Sequence, residues 1–302
     1  MLARPGLPTF DYVRATTPAV VIGLLDEHGS AARLMMGGTD LLVRMRQGTV
    51  RPRIVIDLKH LPGMREIRFD EAHGLSVGAA VTMNQLARHP DVLARYRLLA
   101  EAARSVASYQ LRNRATLGGN LCNASPSADT APAALALDGR IVLLGAGGER
   151  EASAEEFFLG PGSTAARPDE FMTAIRFPVP PRDGQGRYLK LGRTRLADLS
   201  LVGVAAYGFA DASVPSGYRF RIALGSVGPV PFRALEVEKV LASGSPGEET
   251  FALAAQKAMQ AANPIADVRS GVEYQKAMVC VLTLRGLRDV WAHLVGAPVG
   301  RA

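Results

Sequence analysis

Residues 33–48 read Arg-Leu-Met-Met-Gly-Gly-Thr-Asp-Leu-Leu-Val-Arg-Met-Arg-Gln-Gly. A short apolar run ends in Gly37-Gly38, and a stretch with helical spacing from Asp40 to Gln47 stops at Gly48, so the segment predicts a strand, a glycine turn and a helix. A β-branched strand, Arg53 to Leu58, follows. Upstream, Thr17-Pro18 supplies an N-cap and a first helical residue for Ala19 to Leu25, and His28-Gly29 closes that helix. The chain to about residue 58 therefore reads as a small alternating α/β unit. Paired glycines between strand and helix let a bulky anion approach the backbone with no Cβ in the way. The helix that follows turns unpaired N–H groups and its positive dipole end toward such an anion. Thr39 could cap this helix or donate its hydroxyl to a phosphate oxygen; a plain tight turn is the alternative. No Gly-Lys-Ser/Thr follows and the spacing is not GxGxxG, so Walker and Rossmann readings are poor.

Beyond this unit the pattern changes. Ile67 to Phe69 and Leu75 to Ala80 predict a hairpin, and Met83 to Arg88 and Arg97 to Ser105 predict helices. Tyr109 to Asp129 has no apolar period and is dense in Asn, Gly and Ser, so it reads as a long structureless segment, usually a functional one. Within it, Arg114 to Asp129 reads Arg-Ala-Thr-Leu-Gly-Gly-Asn-Leu-Cys-Asn-Ala-Ser-Pro-Ser-Ala-Asp. Thr116, Asn120, Asn123, Ser125 and Ser127 supply hydroxyl and amide groups, Gly118-Gly119 offers bare backbone N–H groups, and Asp129 offers an acceptor for ribose hydroxyls. Two Gly-Gly turns suit a ligand with two linked phosphates gripped from both sides. A surface loop with Asp129 capping a helix at Thr130 is the alternative. Ala133 to Leu137 reads as helix; Arg140 to Leu144 and Phe171 to Phe177 read as strands. Pro178-Val179-Pro180-Pro181-Arg182-Asp183-Gly184 breaks the chain, placing a domain boundary near 178–186. The last third reads as strands Tyr188 to Leu191, Leu199 to Phe209 and Arg219 to Ser226, then helices Leu235 to Leu241, Thr250 to Ala261 and Val272 to Val295. That order predicts an α+β domain with helices stacked on an antiparallel sheet.

Composition narrows the function. The 302 residues are 48% hydrophobic and 21% charged, which fits ordinary globular protein and excludes disordered, collagenous and coiled-coil chains. No apolar run approaches the ~18–20 residues of a membrane span, and the N-terminus lacks a secretory pattern, so a cytoplasmic protein is expected. Two distant cysteines, Cys122 and Cys280, argue against a disulfide framework or a cysteine-held zinc or iron–sulfur site. The five histidines (28, 60, 73, 89 and 293) show no metal spacing. The net charge of +7 invites a nucleic-acid reading, but only five of the 35 basic residues are lysines and no recognition module or aromatic-interleaved patch appears. The densest basic stretch, Arg44 to Arg68, reads as a solvated face or as a docking surface for an acidic partner or an anionic cofactor.

MGGTDLLVRM (36–45) together with ATLGGNLCNASPSADTAPAALALD (115–138) resembles the FAD-binding subunit of the molybdenum hydroxylases, the relatives of xanthine dehydrogenase and aerobic carbon monoxide dehydrogenase. The likeness continues through Tyr188 to Asp198, Gly225 to Glu236 and Tyr274 to Arg285. It implies an α+β fold: a two-part FAD-binding domain of the PCMH type over residues 1–178, with subdomains of about 1–58 and 59–178, and an α+β C-terminal domain over 186–297. It implies a complex in which a large subunit holds the molybdenum cofactor, a small subunit holds two [2Fe–2S] clusters, and this chain passes electrons through FAD to an external acceptor, as a dimer of three-chain units. Met36, Gly37, Gly38, Thr39, Asp40 and Leu41 match pyrophosphate-lining positions, as do Thr116, Leu117, Gly118, Gly119 and Asn120. Asp129 matches a contact on the ribose–adenosine side, Met172 and Lys190 match positions near the flavin ring and its chain, and Val106 also matches an FAD contact. No catalytic base and no metal ligand is expected, because the flavin itself performs the redox step. With so few cysteines, the superfamily branch with an added [4Fe–4S] cluster does not fit. A stand-alone flavoprotein oxidase is the competing function; it would need acid–base groups around a substrate cavity, and no such constellation is visible.

Overall fold

The computed structural model describes residues 6–194, 197–266 and 268–296. Residues 1–5, Arg195-Leu196, 267 and 297, which fall in the expected domains and motif segments, lie outside the described residues. Strands β1 (Asp11–Arg14), β2 (Ala32–Met35) and β3 (Ile54–Asp57) form a parallel sheet in the order β1-β3-β2. Helix α1 (Pro18–His28) and helix α2 (Leu41–Arg46) make its crossovers. Local chemistry sets the ends of α1: Thr17 accepts from the Val20 N–H, Pro18 opens the first turn, and Gly29 follows the last. All four residues of β3 are buried, as the middle strand of a covered parallel sheet demands.

The second unit is an antiparallel sheet of β4 (Ile67–Asp70), β5 (Gly74–Gly78), β6 (Arg140–Gly145), β7 (Gly148–Ser153) and β10 (Phe171–Phe177), ordered β4-β5-β10-β6-β7, beside a separate small pair, β8 (Phe158–Gly160) and β9 (Ser163–Thr164). Helices α3 (Met83–Leu86), α4 (Pro90–Arg95), α5 (Arg97–Ser105), α6 (Tyr109–Arg112), α7 (Leu117–Cys122) and α8 (Thr130–Ala136) follow β5, and α9 (Ala154–Phe157) follows β7. Two elements here correct the expectation of a structureless 109–129, since α6 and α7 both lie inside it. Each is a single turn or little more, too short to show a 3.6-residue period, and each is set by a cap: Ser108 accepts from Leu111 N–H and Thr116 from Gly119 N–H.

The third unit is a four-stranded antiparallel sheet, β11 (Gln185–Leu191), β12 (Val202–Ala210), β13 (Tyr218–Gly225) and β14 (Phe232–Arg233), carrying α10 (Leu235–Ser243), α11 (Glu248–Ala261) and α12 (Val272–Leu294). Strand β12 is buried on both faces, and its period of two sorts its side chains. Val202, Val204 and Ala206 join Phe220, Ile222 and Leu224 in a core under the C-terminal helices. Ala205, Tyr207, Phe209 and Ala223 face the other way, into the core of the preceding units. One sheet therefore completes two cores.

Candidate functional site

The carboxyl end of β2 runs directly into the first glycine turn, where ligands of parallel sheets usually sit. Gly37 packs so closely that a Cβ there would lie 2.2 Å from the Arg114 carbonyl oxygen, which brings the two glycine motifs into backbone contact. Gly38 has φ +74°, a conformation that glycine adopts without cost. Among the described residues nothing accepts a hydrogen bond from the N–H groups of Gly37, Gly38, Thr39, Asp40 or Leu41. Thr39 does not cap α2; its hydroxyl reaches only Asp40, at 3.4 Å, and Asp40 holds the N-cap place with no capping bond. Five consecutive donors therefore stand open at the start of a helix.

The second turn is built differently. Leu117 N–H donates to Val81 O at 3.0 Å and Gly118 N–H to Ala79 O at 2.9 Å, while Gly119 N–H donates to Thr116 Oγ1 at 3.1 Å. A Cβ on Gly118 would meet the Ala79 side chain at 2.6 Å. The expectation of bare N–H groups at Gly118-Gly119 is thus corrected: this pair is used for close packing and for a cap. What the second motif offers is side chains. Asn123 Nδ2 donates to Asp40 Oδ1 at 3.3 Å and Thr116 Oγ1 to Met36 Sδ at 3.8 Å, tying the motifs together across the cavity floor. Asn120 Oδ1 accepts from Thr130 Oγ1 at 2.6 Å, leaving its amide group for the cavity side.

Asp129 precedes α8 but makes no capping bond. It is 5% exposed, and both its oxygens are engaged: Oδ2 accepts from Lys190 Nζ at 2.7 Å and Oδ1 from the Tyr188 hydroxyl at 3.0 Å. Burial pushes the Asp129 carboxyl up, opposed by the Lys190 charge and the hydrogen bonds of Lys190 and Tyr188. Burial, with Asp129 beside it, puts the Tyr188 phenol well above its ordinary value. Lys190 also donates to Ser105 O at 3.0 Å, so two residues of β11 are anchored to the helical layer of the preceding unit.

Between these parts lies a cavity of about 570 Å³, within the ~300–1,000 Å³ usual for cofactor sites. Of the residues expected to bind, Met36, Gly37, Gly38, Thr39, Asp40, Leu41, Thr116, Gly119, Asn120, Asp129 and Met172 line it, as does Val106. Leu117 and Gly118 are buried behind the wall, and Lys190 reaches it only through Asp129. Other lining groups that the sequence reading did not assign to the site include Arg33, Leu111, Phe171 and Leu199, and Arg44 begins the basic stretch that it read as a possible docking surface. Arg44, one turn into α2, had a readable signal, since it follows the glycine turn by six residues; Leu199 and Phe171 had none. Cys122 opens onto the cavity yet is surrounded by protein, which pushes its thiol up to about 12, and its sulfur lies 4.0 Å from Met172 Sδ. Left-handed backbone gathers here too: Ala107 (φ +41°) and Ala197 (φ +62°) line the cavity, and Ala124 (φ +45°) lies between two lining residues. Such strain collects where a site is held in shape by its surroundings; the Ala107 loop is held by Arg112, which donates to Val106 O and Ala107 O at 2.8 and 3.0 Å. Among the described residues no cluster of His, Cys, Asp and Glu could hold a metal ion, and no helix is long and apolar enough to cross a membrane.

Residues 8–180 match the FAD-binding domain of molybdopterin dehydrogenases, and residues 187–290 match the C-terminal domain of carbon monoxide dehydrogenase flavoproteins. The chain is similar to a carbon monoxide dehydrogenase medium chain of Hydrogenophaga pseudoflava, 33% identical over 95% of this chain and 98% of that one. It is also similar to a xanthine dehydrogenase FAD-binding subunit of Escherichia coli, 30% identical over 94% and 97%. Among solved structures, the carbon monoxide dehydrogenase of H. pseudoflava superposes with a TM-score of 0.90 at 33% identity over 95% of this chain and 98% of that one. Quinoline 2-oxidoreductase of Pseudomonas putida 86 superposes with a TM-score of 0.86 at 27% identity over 96% and 99%. With both family domains in order along one α+β chain and the two glycine motifs of the first meeting at one cavity, the protein belongs to the FAD-binding subunits of the molybdenum hydroxylases, a family of oxidoreductases.

Proposed function

We propose that the cavity holds one non-covalent FAD and that the chain is the electron-transfer subunit of a molybdenum hydroxylase complex. In this reading electrons arrive from [2Fe–2S] clusters on a small partner subunit and leave to an external acceptor, while a large partner subunit with the molybdenum cofactor acts on the substrate. The complex is a dimer of three-chain units in the cytoplasm, and the chain divides into domains at 1–178 and 186–297. The observation that carries the reading is the row of open N–H groups from Gly37 to Leu41 on the cavity wall. A pyrophosphate needs such an array of donors at a helix start, with no Cβ in its way.

The residues fit the cofactor. Met36 to Leu41 would hold the pyrophosphate, with Thr116 and Asn120 closing on it from the second motif. Asp129, pinned by Lys190 and Tyr188, keeps acceptor lone pairs for hydroxyls of the ribose side. Met172, Val106 and Phe171 give an apolar wall suited to the ring system. Bound FAD supplies the redox chemistry, so the protein's own residues have only to bind, orient and shield it. Purified chain is expected to show flavin absorbance that is released on denaturation. A colourless protein that cannot be reconstituted with FAD would overturn the reading, and substrate-dependent dye reduction by this chain alone would overturn the division of labour.

A further inference from the structure

Against the first glycine turn lies a polar cluster around the buried Asp57 that the flavin reading leaves unused. Lys59 Nζ donates to the Met36 carbonyl at 2.9 Å and to Asp57 Oδ1 at 2.6 Å. The Lys59 backbone N–H donates to the same carboxylate oxygen at 3.0 Å, and the Tyr12 hydroxyl donates to Asp57 Oδ2. Asp57 is 1% exposed and stands opposite Met35 in the β2–β3 register, at the strand ends that deliver the turn. Burial alone would push the Asp57 carboxyl up; the hydrogen bonds of Lys59 and Tyr12 outweigh it and hold the group below its usual value. The cluster is thus an ammonium fixed by an anion, with one of its donors given to a backbone carbonyl.

That carbonyl matters because of the peptide it belongs to. In a trans peptide the C=O and N–H point in opposite directions, and no peptide among the described residues is cis. Lys59 is not part of the cavity wall, whereas Gly37 is. Holding the Met36 oxygen toward Lys59 turns the N–H of the same peptide, that of Gly37, to the cavity. A peptide that enters Gly37-Gly38 has little side-chain resistance to rotating; flipped, it would aim a carbonyl at an anion in place of a donor.

We propose that Lys59 is a positioning residue that locks the Met36–Gly37 peptide with its N–H toward the cavity, and so sets the affinity for the pyrophosphate. Asp57 and Tyr12 in turn hold Lys59. The proposal rests on the flavin reading of the cavity.

The test uses the full-length chain, stripped of flavin and titrated with FAD, and records phosphorus-31 spectra of the bound cofactor. Lys59→Met keeps the stem and loses the donors; it is expected to weaken FAD about tenfold, the scale of one charge-assisted hydrogen bond, and to shift the pyrophosphate resonances. Lys59→Arg, which can still donate to the carbonyl, is expected to recover most of the affinity and the parent resonances. Unchanged affinity and unmoved resonances in Lys59→Met overturn the proposal while the flavin reading stands. Lower stability with unmoved resonances also overturns it, because that is the signature of mere structural support. Should Lys59→Met not fold, Asp57→Asn loosens the lysine without removing it and is expected to shift the same resonances by less; unmoved resonances there overturn the proposal too. A parent chain that binds no FAD defeats the flavin reading and this inference with it.

Discussion

Gly37-Gly38 and Gly118-Gly119 are the same dipeptide beside the same cavity, each near the start of a short helix, and their N–H groups meet different fates. In the first pair no described residue takes up the donors, and the turn projects them from the end of a parallel strand. In the second pair both donors are consumed inside the protein, by Ala79 O and Thr116 Oγ1, and Gly118 is glycine because a neighbouring backbone leaves no room for a Cβ. A glycine pair therefore announces close approach, without saying whether the thing approaching is a ligand or the protein itself. In the proposed reading the first pair receives the guest. The second brings Thr116, Asn120 and Asp129 to it.

Four changes would break or sharpen that contrast. The largest loss of stability is expected at the far end of the second motif. Asp129→Ala leaves the Lys190 ammonium without its buried partner and is expected to cost about 4 kcal/mol in urea unfolding of the flavin-free chain; a loss below about 1 kcal/mol would show that the pair is no anchor. Gly118→Val forces a branched side chain against Ala79 and is expected to cost about 3 kcal/mol, whether or not flavin is present. Gly38→Val is expected to cost only about 1–2 kcal/mol of folding stability, for its positive φ, yet to abolish FAD retention. Full flavin occupancy in that variant would remove the first turn from the binding site. The smallest effect on the fold is expected from the double reversal Arg51→Glu and Arg53→Glu, on an exposed stretch of the first unit. It leaves stability and FAD unchanged and weakens co-purification with partner subunits at low salt, less so at raised salt, where the charges are screened. Undiminished co-purification places the docking surface elsewhere.

What could be read from the residues is what local chemistry decides. The ends of α1 follow from Thr17, Pro18 and Gly29, and the first glycine turn follows from an apolar run stopping at Gly37. The three C-terminal helices and three of the four strands beneath them follow from apolar runs bounded by Gly, Pro and Ser. Elements fixed by distant partners were opaque. The Thr116 cap of α7 is local, but the place of its first turn is fixed by Leu117 and Gly118, which donate to Val81 and Ala79, some forty residues away. Strand β7 reads Gly-Glu-Arg-Glu-Ala-Ser, with no apolar alternation, because it is the solvent-facing edge of its sheet. In the site, the motif residues were visible as motifs. The fate of their N–H groups was not, since sequence names the donors and only the fold names the acceptors. Lys59 was visible only as one charge in a basic stretch; its bond to Met36, 23 positions earlier, is a property of strand register.

The two-faced sheet has a consequence for the order in which the protein can be made. Tyr188, Ala205, Tyr207, Phe209 and Ala223 belong to the core of the units that precede them. A nascent chain that has emerged as far as the Pro178–Pro181 break therefore presents an unfinished apolar face, which waits for β11 to β13 to be synthesised. A chain stopped at residue 180 is expected to bind a hydrophobic dye and to aggregate, and one extended through residue 225 to bind less; equal dye binding by the two would show that the face is closed earlier. The ribosome, in this view, delivers both glycine motifs before it delivers the strands that shut the core behind them and bring Tyr188 and Lys190 to Asp129, and the span between those two moments is when the young protein most needs a chaperone.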